Sequence, residues 1–473
     1  MRRFGFALLA LTALATASRA DGLPEATRAG APTGDNVPTP AGDSLMPSTP
    51  LFILGNSALE DKNVKVSFYG FVEADTIIDS TQSFTELQGN TGIAKIGTEA
   101  GDNSRFQMGA RNSRFGFKVE SPTTDSGVKA MGNLEMDFLG VAGGTAEANI
   151  YSTPTFRMRH GFVKLQTPAI DVLVGQTWSV LGSSMIFTPA TVDIQGVPAE
   201  LYARTLQIRL GKTLKFGDFA AELEIAAQRP YQHDVGMPDF GGFLRLAWDG
   251  WKGYKATGGN GGDDSGIQLS FSTLTRSFRI LSGTATSTSD FETARGTGFA
   301  LDAIVPILPA SKKDRGNGLT FTGELSTGSG YGDQFTSNNF GVSAVGTPMG
   351  ASASYVTGAS LDAGPAGVDK TTGALGTVDA KSMLLSLQYF LPIDRGAVFL
   401  SLLYGTLQSD NAVNFTAVAS AIPDERYVGA DLFWDVTQAA RLGLSYGKTR
   451  QRYGDNSPAR TNDRVQLSAF YIF

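Results

Sequence analysis

The chain has 473 residues, and its composition excludes several classes of protein. It contains no cysteine, which excludes disulfides and thiolate metal sites. Its formal net charge of -6 gives no basic surface for nucleic acid, so no nucleic-acid partner is predicted. The 57 glycines and 30 phenylalanines come without helical periodicity, a combination typical of short alternating strands with aromatic girdles.

The first 20 residues have the order of a secretory signal peptide. Two arginines precede the apolar run 6–15, and small residues lead up to Ala20. The apolar run is too short to cross a bilayer as a helix. We therefore expect a signal peptide over residues 1–20 that is cleaved near Ala20.

A change of amino-acid composition near residue 64 divides the rest of the chain. Residues 21–63 are rich in Pro, Gly, Thr and Asp and hold too little apolar content to bury a core. We expect them to form a flexible periplasmic segment. Residues 64–473 are predicted to form one all-β domain.

Sixteen segments of about ten residues recur in this domain, each with alternating apolar and polar side chains. An even number of such strands fits a closed transmembrane antiparallel β-barrel with both ends in the periplasm. The predicted strands are 64–78, 105–120, 128–138, 155–166, 170–178, 204–216, 219–228, 241–251, 266–278, 297–307, 318–327, 382–391, 397–407, 426–436, 440–448 and 463–473.

Short and long connections largely alternate along the chain. Short turns such as 167–169 alternate with long loops such as 81–104 and 328–381. In outer-membrane barrels the short turns face the periplasm and the long loops lie outside the cell. The Gly/Asp-rich stretch 258–264 is interpreted as an extracellular loop, with a calcium site as the alternative.

Strand parity predicts which side chains face the lumen, because the apolar parity of a membrane barrel faces lipid. Arg111 is included because the parity changes between Ala110 and Arg114, which indicates a β-bulge. His160 and Phe162 fall on the lipid-facing parity. The basic side chains predicted to line the pore and bind anions are Arg111, Arg114, Lys118, Arg157, Arg159, Arg209 and Arg245.

These arginines suggest a basic wall that binds small anions. The planar guanidinium is always charged and matches a carboxylate through two hydrogen bonds. The alternative is that the arginines only pair with lumen acids such as Glu222 and Glu224 and order water.

The loop over residues 179–203, called L3 below, is unusually apolar for an extracellular loop. We expect it to fold inward and narrow the channel, with Asp193 and Glu200 opposite the arginines. Acidic and basic groups on opposite sides would set up a transverse field across the pore. The alternative is that the apolar residues cap the rim or contact another subunit.

The final strand alternates strictly up to Phe473. It resembles the C-terminal strand of bacterial outer-membrane barrels, in which a terminal Phe is part of the signal read by the barrel assembly machinery. This resemblance predicts location in the bacterial outer membrane, with lipid and that machinery as partners.

Four motifs resemble the DcaP-like family of trimeric outer-membrane porins. They are VSFYGFVEAD at 66–75, SRFGF at 113–117, GFVK at 161–164 and GQTW at 175–178. The resemblance implies sixteen strands, a homotrimer and a preference for small anionic solutes such as dicarboxylates. Members typically carry a periplasmic coiled coil before the barrel, which the Pro-rich segment of this chain cannot form.

The predicted function is a passive outer-membrane diffusion channel for small hydrophilic anions. The alternatives are a structural or adhesive barrel with a plugged lumen, a substrate-specific channel of eighteen strands, and a soluble β-rich secreted protein. An enzyme is not predicted, because neither His160 nor His233 accompanies a nucleophile motif. No cofactor or metal is predicted either.

Overall fold

The computed structural model describes residues 52–55, 63–140, 155–230, 236–259, 261–281, 291–336, 338–343 and 363–473. The predicted signal peptide, most of the predicted periplasmic segment and His233 lie outside these ranges. Among the described residues, no helix has the length and apolarity needed to cross a membrane.

Sixteen antiparallel strands form one closed barrel, which confirms the predicted fold class. Each strand pairs with its neighbours in the chain. The strands are β1 Asn63–Asp79, β2 Arg105–Gly109 continued by Arg114–Glu120, β3 Lys129–Asp137, β4 Arg157–Gln166, β5 Asp171–Trp178, β6 Arg204–Phe216, β7 Phe219–Gln228, β8 Asp239–Ala256, β9 Gly262–Leu281, β10 Phe291–Leu308, β11 Leu319–Ser329, β12 Asp379–Phe390, β13 Val398–Gln408, β14 Asp424–Asp435, β15 Ala440–Arg452 and β16 Arg460–Ile472.

The barrel closes between its first and last strands. β16 pairs with β1 from Phe71 opposite Ile472 to Asp79 opposite Arg464. Beyond that, the backbones of Gly70 and Phe473 exchange two hydrogen bonds of 3.0 Å. The additional strand Phe52–Gly55 pairs with the start of β1. The end of the barrel that carries Phe473 and the short turns is the periplasmic end.

Smaller elements lie in the connections. In the predicted loop 328–381, the strands Ala366–Val368 and Leu375–Thr377 form a hairpin. The remaining elements are the α-helices Glu99–Asp102 and Ala412–Phe415 and the 3-10 helices Ser183–Met185, Gly332–Gln334, Asn339–Gly341 and Asp394–Gly396.

Alternating burial along the strands shows which face meets lipid. On β7, Leu223 is 61% exposed, while Glu222 is 3% and Glu224 is 7% exposed. A closed barrel buries only its inner face, so the polar residues point inward and the apolar residues form the outer belt. The parity rule therefore assigns this strand correctly.

Two strands interrupt their alternation. β2 breaks at residues 110–113, where the change of parity predicted a bulge. β4 contains an unpredicted bulge: Glu135 of β3 opposes His160 and Met136 opposes Met158, which leaves Arg159 as the extra residue. An extra residue reverses the faces of the residues that follow it. The predicted lipid-facing positions of His160 and Phe162 are therefore wrong, since they are only 1% and 5% exposed.

L3 folds into the barrel, as its apolar composition predicted. Nearly all of its residues are buried. Glu324 of β11 accepts hydrogen bonds from the backbone N–H groups of Ser183, at 2.6 Å, and Leu201, at 3.0 Å. Asp431 of β14 accepts another from Val192 at 3.0 Å. Acidic side chains of the far wall thus hold both ends and the middle of the loop.

A second element enters the barrel from the periplasmic end. It is the extended tip of the β8–β9 hairpin, residues 249–259 and 261–266, called the inner hairpin below. A register shift between Trp248 and Lys252 marks where it departs from the wall. The interpretation of 258–264 as an extracellular loop is wrong, because β8 returns from the outer side and its turn falls at the periplasmic end.

Candidate functional site

L3 and the inner hairpin meet inside the barrel and leave a small cavity between them. Its volume is about 50 Å³, room for only a few water molecules. The ionisable side chains that line it are Arg114, Arg159, Glu200, Tyr202 and Lys255. Three cationic groups from three different elements of the chain therefore face one space.

Arg159 is held by carboxylates on the neighbouring strand. It is fully buried, and its Nε donates to Glu135 Oε1 at 2.8 Å. Its Nη2 donates to the hydroxyl of Tyr202 at 3.2 Å, which ties L3 to the wall. Arg157 binds both carboxylate oxygens of Asp137, at 3.0 and 2.5 Å. These two arginines satisfy most of their hydrogen-bonding capacity within the protein.

Arg114 differs because two nitrogens of its guanidinium lack hydrogen-bond partners. Its Nε and Nη2 are buried and have no hydrogen-bond partner among the described residues. The nearest carboxylate oxygen, Oε1 of Glu135, lies 3.6 Å from Nε. The guanidinium also lies 5.3 Å from the ring centroid of Phe71. A buried guanidinium with two nitrogens that lack hydrogen-bond partners favours the binding of an anion in the adjoining cavity.

Lys255 is the cationic residue that the sequence analysis missed. It is buried, its Nζ lies 6.0 Å from the ring centroid of Phe187, and it stands opposite Asp263 in the register of the hairpin. The predicted strand ended at Trp251, whereas β8 continues for five more residues to Ala256. The short Gly-rich stretch after Lys255 could have indicated the longer strand, because a turn of that length can join two strands of a hairpin.

The two acidic residues predicted on L3 lie in different surroundings. Glu200 lines the cavity, and its Oε2 accepts the N–H of Val197 at 3.0 Å. Asp193 lies away from the cavity, where its Oδ2 accepts the N–H of Gln88 at 3.0 Å and lies 3.6 Å from Arg464. Burial raises the pKa of Asp193 to about 6 and raises the pKa of Glu200 well above its usual value.

Arg209 and Arg245 face the lumen but do not line the cavity. Arg209 pairs with Glu224 at 3.0 Å, and Arg245 pairs with Glu222 at 2.6 Å. Met185 of L3 lies against Arg209, with its sulfur 3.2 Å from Nη1. These pairs fit the alternative in which lumen arginines only balance neighbouring acids.

Arg111, in the break of β2, and Lys118, on its second part, do not line the cavity. Arg111 pairs with Glu86 at 2.8 Å at the extracellular end. Lys118 lies 3.6 Å from Glu120 near the periplasmic end. Of the seven predicted basic residues, the structure therefore brings Arg114 and Arg159 to the cavity, with Arg157 next to them.

A closed barrel of sixteen strands with an apolar outer belt and a charged interior defines the class of outer-membrane porins. Residues 55–219 match the family model of the DcaP outer membrane protein. The match confirms the resemblance that the four motifs indicated, and it assigns the chain to the bacterial outer membrane.

Solved structures of porins share this fold. The chain is similar to the outer membrane channel DcaP of Acinetobacter baumannii, with 16% identity, a TM-score of 0.61, and coverage of 87% of this chain and 97% of that one. An anion-selective porin from Comamonas acidovorans gives 13% identity, a TM-score of 0.49 and coverage of 87% and 100%. At these identities the likeness concerns the fold. No curated protein matches the chain by sequence.

Proposed function

We propose that this porin is a passive diffusion channel for small hydrophilic anions, with dicarboxylates as the preferred class. The observation that carries the proposal is the buried guanidinium of Arg114, with two unpaired nitrogens beside the cavity that Arg159 also lines. A carboxylate that reaches this point replaces its lost hydration with charge-assisted hydrogen bonds, which lowers the barrier to entry.

L3 acts in this proposal as the constriction that limits solute size. Its hydrogen bonds to Glu324 and Asp431 hold it across the lumen. Glu200 of L3 and Arg114 of the wall line the same cavity. The channel itself performs no covalent chemistry.

The zero-current potential of the purified protein in a planar bilayer tests the proposal, first across a potassium chloride gradient and then across a potassium succinate gradient. We expect the sign that indicates anion preference with both salts. Arg114→Gln should reduce this preference severalfold, because it removes a positive charge that borders the cavity. Lys118→Gln is the matched control, since it removes a positive charge from the same strand outside the cavity. A cation-selective wild-type channel would refute the proposal.

A barrel with a plugged lumen is the second candidate function. The observation that favours it is the presence of both L3 and the inner hairpin in the lumen, with a cavity of about 50 Å³ left between them. A protein that inserts into bilayers but conducts neither chloride nor succinate would support the plug and refute the channel.

We also propose that the chain forms the homotrimer implied by its family resemblance. The support is a continuous group of aromatic rings on β1 and β2, at the adjoining ends of β3 and β4 and after the end of β16, with neighbouring centroids 5.0 to 6.3 Å apart. Native mass spectrometry in detergent measures the oligomeric state, and a monomer would refute the proposal. The rings belong to Phe68, Phe115, Phe117, Phe138, Phe156 and Phe473.

Recognition of Phe473 by the barrel assembly machinery is the remaining proposal about partners. Its support is the alternating final strand and the stacking of the Phe473 ring on Phe68, at 5.0 Å between centroids. Deleting Phe473 should lower the amount of folded barrel in the outer membrane, measured by heat-sensitive migration on a gel.

A further inference from the structure

The inner hairpin reaches the opposite wall of the barrel. Its tip residues Thr257 and Gly258 accept hydrogen bonds through their carbonyl oxygens from Nη1 of Arg441 on β15, at 2.5 and 2.7 Å. Gly259 lies so close to Phe71 of β1 that a Cβ atom there would lie 2.8 Å from the ring. Since β8 and β9 stand half a barrel away from β15 and β1, the hairpin crosses the lumen.

An aromatic surface inside the barrel receives the hairpin. Phe390, Phe399 and Phe433 are fully buried on β12, β13 and β14, with successive ring centroids 4.9 and 4.7 Å apart. Tyr254 of the hairpin packs on Phe390 at 5.4 Å, and Ala256 belongs to the same apolar cluster. A water-filled lumen is normally lined by polar residues. The three phenylalanines do not line water, because the inner hairpin covers them.

Polar contacts fix the hairpin on this surface. The side-chain amide of Gln388 exchanges two hydrogen bonds with the backbone of Ala256, at 3.0 and 3.1 Å. Asp435 binds both Arg315, at 2.7 Å, and Arg441, at 2.6 Å. These contacts are made by side chains of the wall and not by the backbone hydrogen bonds that join its strands. They can therefore be broken without opening the barrel wall.

This placement carries Lys255 to the cavity from the side of the hairpin, while Arg114 and Arg159 belong to the wall. A dicarboxylate has two separated negative charges, and two cationic groups on different elements can bind one charge each. The ammonium of lysine is a compact charge with three donors on a flexible stem, which suits a group that moves with its solute.

We propose that Lys255 is a specificity-determining residue for dianions and that the inner hairpin is the gate that carries it. The inference rests on the proposed anion channel. In the observed position, the hairpin lies across the lumen against Phe71 and Arg441, and its withdrawal would widen the path of a dicarboxylate past the cavity. The hairpin then both closes the pore and contacts the solute.

Lys255→Met tests the specificity in single-channel recordings, with chloride conductance and its block by added succinate as the two readouts. We expect chloride preference to persist through Arg114 while succinate block weakens severalfold. Lys255→Arg should retain the block because it retains the charge. Lys252→Met is the matched control, since Lys252 lies on the same hairpin, is about half exposed and pairs with Asp249 at 3.2 Å.

Arg441→Gln tests the gate, because it removes the contacts to the carbonyl groups of Thr257 and Gly258. We expect a higher open probability, with heat-sensitive gel migration checking that the barrel is folded. Equal succinate block in Lys255→Met and wild type would overturn the specificity, and an unchanged open probability in folded Arg441→Gln would overturn the gate. A cation-selective wild type would instead overturn the underlying channel function, so the failures are distinguishable.

Discussion

Two walls of the same lumen are built from opposite kinds of side chain. The wall of β2–β4 carries Arg114, Arg157 and Arg159, together with the carboxylates that pair with them. The wall of β12–β14 carries buried phenylalanines and leucines, among them Phe399 and Leu403. The side chains of both walls point into the lumen.

The difference follows from what covers each wall. Val197 of L3 packs with Leu384, Leu403 and Tyr427, and the inner hairpin packs on Phe390. The arginine wall instead borders the cavity and keeps its charges beside carboxylates. The apolar lumen positions are therefore those from which an inserted segment excludes water.

The largest expected effect comes from the apolar wall. Phe399→Ala removes a fully buried ring that packs on Phe390 and Phe433, so we expect the free energy of unfolding to fall by about 3–5 kcal/mol. Urea titration of the protein in lipid vesicles measures it. Phe399→Leu, which retains most of the volume, should cost less than about 1.5 kcal/mol. Equal losses in both variants would contradict the covered apolar wall.

On the arginine wall, Arg159→Met should be nearly as destabilising. It leaves Glu135 and Asp137 buried with fewer cationic partners, so the loss should lie near the lower end of about 3–5 kcal/mol. Arg157 and Arg114 remain nearby and limit the cost. The same urea titration measures it, with Arg111→Met as the control, since the Arg111 side chain is 22% exposed. A loss no greater than in that control would contradict the importance of this pair.

Arg209→Gln should separate stability from selectivity. The substitution breaks the pair with Glu224, and we expect a lower urea midpoint. Because Met185 and the rest of L3 separate Arg209 from the cavity, the zero-current potential should stay at the wild-type value. A shift as large as that of Arg114→Gln would mean that solutes reach this part of the wall.

The smallest expected effect is a pH dependence of selectivity through Asp193. Burial raises the pKa of this carboxyl to about 6, so the group loses its negative charge as the pH falls through 6. Anion preference should therefore rise slightly between pH 8 and pH 5. The neutral form of Asp193 also favours the folded state, because burial disfavours the charged form. This contribution to stability is present at low pH and is lost as the pH rises through 6.

Asp193→Asn is the control for that titration. The variant should show the low-pH selectivity across the whole range, because its side chain is neutral throughout. A pH step of unchanged size in this variant would assign the titration to another group.

Local sequence patterns predicted the strands and most of their faces, because alternation with a period of two is a property of neighbouring residues. The inward position of Glu222 and Glu224 followed directly from Leu223 and Ile225. The bulge at Arg159 did not follow, because the pairing of β4 with β3 determines it.

The site depended on contacts between distant parts of the chain. The parity rule predicted that both Arg114 and Arg209 point inward. The path of L3 then leaves Arg114 beside the cavity and covers Arg209. Lys255 was missed for a similar reason. Its position depends on the docking of the hairpin against β12–β15, which the strand pattern of β8 does not contain.

The inner hairpin also constrains the order in which the chain folds. Its contacts with Gln388 and Arg441 join residues 132 and 184 positions apart in the sequence. Contacts of such separation form late, because a long stretch of chain must be ordered first. The hairpin can dock only after β12–β15 have joined the barrel. A nascent barrel therefore passes through an intermediate in which the hairpin is not yet docked and the phenylalanines of β12–β14 are exposed to water.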